Sequence, residues 1–267
     1  MRAVIRGAAC TTLFHLLDEG FMSDRAPIDL ARLLLISDSS FPTGTFAHSW
    51  GLEHAVRFGD VKSAGALATW AEEALRFGVG PLDGQALLRA SELGGRVRES
   101  ASSSKLASSV AQELRRLSDE WASFVPSREA RNAAGQVGRS LLRAAREAFP
   151  SFAASAMATA ERAASGDESR VAQPVAWGFV CGVIGIPPID QLEAYLLGTL
   201  RQWSQVAMRM IPIGQSDALS VVGALLANVA AISSDIVEHP APFTSITPGW
   251  DVALLAHAAM STRYFRS

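Results

Sequence analysis

The chain has 267 residues with a formal net charge of −2; 49% of the residues are apolar and 19% are charged. This length is enough for one large domain or two small ones, with a sizeable core. A near-neutral chain lacks the basic surface that binds nucleic acid or an anionic membrane, so we expect neither partner. The two cysteines, Cys10 and Cys181, are too few and too far apart for a disulfide framework or a zinc site. We therefore expect a reducing, cytoplasmic location.

The first part of the chain differs from the rest. Residues 1–21 carry arginines and apolar residues, but Asp18 and Glu19 interrupt them, and no clean apolar core or cleavage site of a targeting segment is present. Met22 offers a more natural beginning. We predict a flexible extension over residues 1–27, followed by a single domain over residues 28–267.

The apolar residues recur at helical spacing through most of that domain. In the stretch 190–210 they fall at three- and four-residue steps, which places a broad apolar stripe on one helix face. Comparable patterns predict helices at about 28–39, 45–58, 63–77, 81–94, 105–124, 128–148, 151–164, 174–185, 190–210, 216–233 and 249–262. No segment alternates at period two for long enough to form a sheet. The predicted fold is an all-α, single-domain helical bundle of about nine to eleven helices.

Two windows, 174–189 and 219–232, are the most apolar parts of the chain. Both are shorter than the roughly 20 residues that a membrane-spanning helix needs. The first is also interrupted by glycines and by Pro187-Pro188. We therefore expect no membrane span.

Motifs that carry chemistry are scarce in this sequence. It contains no glycine-rich phosphate loop, no HExxH, no CxxC and no GxSxG pattern. His48 and His54 are six residues apart, so on a helix they would lie on different faces and could not hold one ion together without a distant third ligand. We assign no catalytic, cofactor-binding or metal-binding residue and predict that the chain is not an enzyme. One alternative stays open, a metal-dependent helical enzyme with His48, His54 and Glu53 near a buried cleft.

Four segments are unusual for a generic helical bundle: residues 34–53, 127–142, 173–215 and 251–267. Pro42-Thr43-Gly44 separates two predicted helices, and Gly51 would lie inside the second one. A glycine inside a helix costs about 1 kcal/mol relative to alanine, which is tolerated where another helix or a partner must approach closely. The chain ends on Arg263-Tyr264-Phe265-Arg266-Ser267. Terminal residues are usually frayed and polar, whereas aromatic and arginine side chains dominate interface hot spots.

These segments and their order resemble the UreF family of urease accessory proteins. The early proline-glycine-aromatic motif is matched by Pro42, Gly44, Phe46, Ser49, Gly51, Leu52 and Glu53. An Asp-Gly pair, an Arg-Glu pair, a Pro-Val-Ala-x-Gly segment and a Pro-x-Gly-Gln turn follow, at Asp83-Gly84, Arg128-Glu129, Pro174–Gly178 and Pro212–Gln215. The final motif is matched by His257, Arg263, Phe265, Arg266 and Ser267. The resemblance runs from about residue 30 to the last residue.

The resemblance implies a scaffold or chaperone in nickel insertion into urease. Its expected partners are a UreD/UreH-type accessory protein, a UreG-type GTPase, the urease apoprotein and a second copy of the chain. Nickel and GTP would not be bound by dedicated motifs of this subunit, and no cofactor is implied. The matched positions suggest a set of partner-binding residues: Phe46, His48, Glu53, Arg209, Gln215, His257, Arg263, Phe265, Arg266 and Ser267.

Within that set we expect the tail residues Arg263, Phe265 and Arg266 to anchor the UreD-type protein, with the phenylalanine in a pocket. Glu53 and Arg209 would either pair with each other inside the chain or line the surface that faces the GTPase. Three positions depart from the family pattern: Thr45 stands where a second glycine is usual, Gln173 where a histidine is frequent, and Ala258 where a glutamate is usual. These departures leave open a diverged interaction module without a role in urease maturation.

Overall fold

The computed structural model describes residues 27–59, 61–99, 104–150, 158–159 and 171–267. These residues form eleven α-helices and no strand. Their bounds are α1 Pro27–Ser37, α2 Leu52–Phe58, α3 Ala64–Ala74, α4 Gln85–Glu99, α5 Ser104–Phe124, α6 Arg128–Ala148, α7 Gln173–Ile184, α8 Pro188–Met208, α9 Gln215–Ala224, α10 Leu226–Glu238 and α11 Pro248–His257. The prediction of an all-α fold is confirmed. The predicted extension over residues 1–27, apart from Pro27, and most of the predicted helix 151–164 lie outside the described residues.

The sequence predicts many of the helix ends because local chemistry sets them. Ser127 precedes α6, and its hydroxyl accepts a hydrogen bond from the Ala130 N–H at 3.3 Å, which satisfies one of the free donors of the first turn. Gly185 ends α7 in the left-handed conformation, with a φ of +85°. At the start of α9 the carboxylate of Asp217 accepts a hydrogen bond from the Gly214 N–H at 3.0 Å.

Helix α7 lies at the centre of the fold and is buried over nearly its whole length. It packs most extensively against α4 and also against α6. The α4–α7 crossing is so close that a Cβ atom on Gly178 would lie 1.9 Å from the Leu87 carbonyl oxygen. Glycine on both helices, including Gly94 of α4, therefore brings the two backbones together. One apolar core extends from this crossing to the other helices, from Leu33 near the start to Phe265 near the end.

The prediction of one helix over 45–58 is wrong. Thr45–Ala47 forms a short 3₁₀ turn, and α2 begins only at Leu52. Between them Trp50 and Gly51 both adopt positive φ values, of 52° and 83°. Gly51 therefore precedes the helix instead of lying inside it, and its role is to supply the left-handed conformation. The indole Nε1 of Trp250 donates to the Trp50 carbonyl at 2.7 Å, which ties this bend to α11.

The predicted helices 63–77 and 81–94 are joined in the structure. Residues Leu75–Gly84 continue α3 into α4 as a π-helical segment that contains Pro81. A proline removes one hydrogen bond of the helical ladder, and the wider π turn accommodates that loss. This segment places Asp83 towards α5 and α8.

Helices α9 and α10 form a nearly continuous apolar run. Gln215–Glu238 spans 24 residues, its most apolar window has a mean hydropathy of 1.7, and 28% of that window is buried. By length and composition this run could cross a membrane. The apolar window 219–232, which was too short for a span, is therefore part of a longer apolar run. The run is interrupted at Leu225, and both helices pack against α8. Leu219 and Leu226 remain exposed on its outer side.

Candidate functional site

The most elaborate polar network of the described residues surrounds Glu53. This glutamate lies in the first turn of α2 and its side chain is 0% exposed. One carboxylate oxygen, Oε1, accepts a hydrogen bond from the backbone N–H of Tyr264 at 2.8 Å. The other oxygen, Oε2, accepts from the N–H of Phe265 at 3.0 Å. A buried carboxylate with well-placed donors is stable only while those donors stay in place, so Glu53 and the C-terminal segment depend on each other.

His257, at the end of α11, lies between two carboxylates. Its Nε2 is 3.2 Å from Oε2 of Glu53, and its Nδ1 is 3.0 Å from Oε2 of Glu129. A neutral imidazole carries one N–H and can donate to only one of them, whereas the imidazolium donates to both. Arg263 forms an ion pair with the other oxygen of Glu129. The network therefore joins α2, α6, α11 and the tail.

The last residue, Ser267, is held against the bend before α2. Its main-chain oxygen accepts hydrogen bonds from the N–H of Ser49, from the N–H of Trp50 at 3.0 Å and from the Ser49 hydroxyl at 2.7 Å. The Ser267 hydroxyl is 2.7 Å from Nδ1 of His48. Burial, with Arg266 nearby acting in the same direction, lowers the pKa of His48 to about 4, so the imidazole is neutral near pH 7.

The tail is extended, and its side chains alternate between the protein and solvent. Phe265 is 6% exposed and Ser267 is buried, while Tyr264 is 78% exposed and Arg266 is also exposed. The guanidinium of Arg209 lies 5.8 Å from the centre of the Phe265 ring. The N–H of Arg266 donates to the Ala47 carbonyl at 2.9 Å. The docked tail consequently presents an aromatic and a basic side chain on an ordered backbone.

The structure brings most of the predicted site residues into one region. His48, Glu53, His257, Arg263, Phe265, Arg266 and Ser267 form the network, and Arg209 covers it. Phe46 lies in the neighbouring 3₁₀ turn, and Gln215 is exposed at the first residue of α9, outside this network. The assignment of these ten residues to partner binding stays a prediction. In this conformation Phe265 is buried in the apolar core of its own chain, whereas the sequence suggested a pocket on a partner.

Glu53 and Arg209 do not form the ion pair that the sequence offered as one possibility. Glu53 is paired with His257 and, at 3.8 Å, with Arg57, while Arg209 contacts the Phe265 ring. The predicted set of partner-binding residues did not include Arg57 or Glu129. Arg57 also donates to the Thr262 carbonyl. Glu129 belongs to the matched Arg128-Glu129 pair and lies in the first turn of α6 after the Ser127 cap. Neither feature indicated its contact with His257, which is 128 positions away.

The residues of the alternative enzyme site do not converge. His48 contacts Ser267, and Glu53 is committed to the tail. His54 instead borders a groove beside α3, where its ring lies 5.1 Å from that of Phe58. Within the described ranges, no group of three or more His, Cys, Asp or Glu side chains is arranged to hold a metal ion. The geometry thus gives this alternative no support.

The described residues thus form an all-helical fold whose most extensive polar network holds the C-terminal segment in place. The family model of UreF matches residues 61–226 of this chain. Three relatives named urease accessory protein UreF are similar over almost their whole length. The relative from Bradyrhizobium diazoefficiens is 32% identical over 93% of this chain and 96% of its own. The relative from Rhodopseudomonas palustris strain BisA53 is 34% identical, with 94% and 98% covered. The relative from Xanthobacter autotrophicus is 35% identical, with 91% and 93% covered. The chain belongs to the UreF family of urease accessory proteins.

Proposed function

We propose that this protein is a cytoplasmic, non-enzymatic scaffold in nickel insertion into urease. In this role it binds a UreD/UreH-type accessory protein and recruits and gates a UreG-type GTPase on the complex with the urease apoprotein. Nickel passes between the other components and is not held by a dedicated site of this chain. Membership in the UreF family supports the assignment to urease maturation.

The observation that carries the proposal is the docked C-terminal tail. Its backbone is fixed by hydrogen bonds to Glu53, Ser49 and Trp50, and its inward side chains, Phe265 and Ser267, are buried. Its outward side chains, Tyr264 and Arg266, are exposed on that fixed backbone. Pre-ordering a binding segment removes the entropy cost that a flexible tail pays on association. Aromatic and arginine side chains presented in this way are typical anchors of protein interfaces.

The tail proposal is tested by co-purification of the full chain with UreD-type and UreG-type proteins. Tyr264→Ala and Arg266→Ala leave the inward contacts intact, so we expect folded proteins with at least tenfold weaker binding of the UreD-type protein. Phe58→Ala and Arg76→Ala are matched controls, because both remove an exposed side chain of the same kind elsewhere on the surface. Unchanged binding by both tail variants would contradict the proposal.

We place the contact face of the expected homodimer at a groove beside α8. A groove of about 390 Å³ lies between α1, α8 and α10 and is bordered by apolar side chains, including Leu34, which is 62% exposed, and Leu226. Glu193 and Arg201 border the same groove. In a two-fold symmetric contact each of these charges can meet its opposite on the other copy. This self-complementary pattern favours a second copy as the occupant.

The dimer proposal predicts that Leu34→Glu shifts the protein from dimer to monomer, because it places a charge in an apolar contact. Phe58→Glu, at another exposed apolar position, is the control and should remain dimeric. Light scattering coupled to size-exclusion chromatography measures both masses. A monomeric wild-type protein, or a dimeric Leu34→Glu variant, would reject this face.

A further inference from the structure

A second feature of the molecule, apart from the tail, is a small cavity with aromatic walls. It has a volume of about 50 Å³ and lies where α5, α8, α11 and the π-helical segment meet. Six aromatic side chains border it: Trp50, Trp121, Phe124, Tyr195, Trp203 and Trp250. The rings contact one another, with Trp203 and Trp250 edge to face at 6.2 Å and Trp203 also against Trp70 at 4.9 Å. The faces of aromatic rings carry partial negative charge and attract cations.

The charged residues of this cavity all have one sign. Asp83 and Asp251 border it, and none of its described lining residues is arginine, lysine or histidine. Oxygen Oδ1 of Asp83 accepts a hydrogen bond from Trp121 Nε1 at 2.6 Å, and Oδ2 accepts from the Tyr195 hydroxyl at 2.8 Å. Both donors are neutral. Both oxygens of Asp83 are therefore hydrogen-bonded, but among the described residues no cation balances the charge of this carboxylate.

Burial disfavours the charged form of both carboxyl groups. Burial raises the pKa of Asp83 from 3.8 to about 6, although its two hydrogen bonds act in the opposite direction. Burial also raises the pKa of Asp251. A cation beside these carboxylates would favour their charged forms and offset the free-energy cost of burying the charge.

One polar group of the lining is unpartnered. The indole Nε1 of Trp203 is buried without a hydrogen-bond acceptor among the described residues, and the residue is 1% exposed. A buried donor of this kind calls for an acceptor, and a water molecule or an oxygen of a bound molecule can provide it. The cavity is thus lined by a carboxylate that no cation of the described residues balances, by an indole whose N–H lacks an acceptor, and by further aromatic side chains.

We propose that this cavity is a binding site for a small organic cation, of the alkylammonium class, held between the aromatic faces and balanced by the carboxylate of Asp83. A water molecule needs roughly 10–15 Å³ of such volume, so the cavity has space for a ligand of only a few non-hydrogen atoms. A hydroxyl group on that ligand would also supply an acceptor for Trp203. This inference goes beyond the assembly role and does not depend on it.

The test uses the isolated full chain and methylammonium chloride as the probe, with ionic strength held constant by sodium chloride. The indole N–H signals of Trp121 and Trp203 in a ¹⁵N-resolved NMR spectrum report on the cavity directly. We expect saturable shifts of both signals with methylammonium and much smaller ones with methanol, which is its neutral counterpart in size. Asp83→Asn should weaken methylammonium binding at least tenfold. Asp235→Asn is the matched control, because Asp235 lies on α10 with its side chain 77% exposed.

A second measurement needs no variant and covers the case in which Asp83→Asn fails to fold. Binding by the wild-type protein should weaken as the pH falls from 7.5 to 5, because Asp83 then takes up a proton. Asp251 of α11 faces the same cavity and acts in the same direction, and Tyr195 of α8 stays neutral across this range, since its pKa is raised. Equal shifts with methanol, no saturation with methylammonium, or pH-independent binding would each overturn the proposal.

Discussion

Replacing Glu53 by glutamine tests the central feature of the tail network. Glutamine has the same shape but no charge, and its amide offers one oxygen in place of two. The N–H groups of Tyr264 and Phe265 bond to different oxygens of Glu53, so in the variant one of them faces an NH₂ group. His257 loses its charged acceptor as well. Glu53→Gln therefore removes several interactions of one buried group at once.

The size of the effect follows from those contacts. Breaking a buried, hydrogen-bonded charge network by changing one partner costs about 3–5 kcal/mol. Because about 1.4 kcal/mol corresponds to a factor of ten, the equilibrium between docked and undocked tail should shift by roughly two to nearly four orders of magnitude. The packing of α4 against α7 is made by those two helices and does not involve the tail. We therefore expect local release of the tail and not global unfolding.

Amide hydrogen exchange at Tyr264 and Phe265 measures this release. In the wild type both amides should be protected, and in Glu53→Gln their protection should fall by about the same two to four orders of magnitude. Trypsin should also cleave faster after Arg263 and Arg266. Glu113→Gln, on the exposed face of α5, is the matched control and should leave both readouts unchanged. Undiminished protection in Glu53→Gln would show that this carboxylate does not hold the tail.

Three further substitutions test how closely α4 and α7 pack and how α6 is capped. A Cβ atom on Gly94 would lie 2.3 Å from the Phe179 carbonyl oxygen, whereas one on Gly95 meets nothing within 4 Å. Gly94→Ala should therefore lower the free energy of unfolding by about 1–3 kcal/mol through overpacking, while Gly95→Ala should raise it by about 1 kcal/mol, both measured by urea denaturation. If the two variants behave alike, the crossing is not as close as described. Ser127→Ala should cost about 1 kcal/mol by the same measurement, because α6 loses its cap, and an unchanged midpoint would exclude that role.

The stability of the protein should also depend on pH through Asp83, which is buried between α5 and α8. Its raised folded-state pKa gives a stabilising contribution that is fully present below pH 3.8 and is lost as the pH rises through about 6. At about 1.4 kcal/mol per pKa unit the loss amounts to about 3 kcal/mol. The stability of Asp83→Asn relative to the wild type should therefore improve from pH 4 to pH 7.5. A pH-independent difference in urea denaturation would contradict this assignment.

Much of the local structure could be predicted because helix formation depends on nearby residues. The stripe of apolar residues over 190–210 predicted α8 to within two residues at each end. The Pro42-Thr43-Gly44 break and the Pro212–Gln215 turn were also visible in the sequence. The bend at Trp50 and Gly51 was missed, since a helical pattern continues through it and only a contact 200 residues away, from Trp250, fixes the backbone there.

By itself the sequence determined an all-helical chain, the approximate helices and, through ordered motifs, the UreF family. Only the tertiary structure decided where the tail goes, because the donors of Tyr264 and Phe265 meet an acceptor more than 200 residues earlier. It likewise placed Asp83 and four distant tryptophans around one cavity. Hydrogen bonds and packing contacts between residues far apart in sequence leave no periodic pattern in the chain. They arise only when the packed helices bring those residues together.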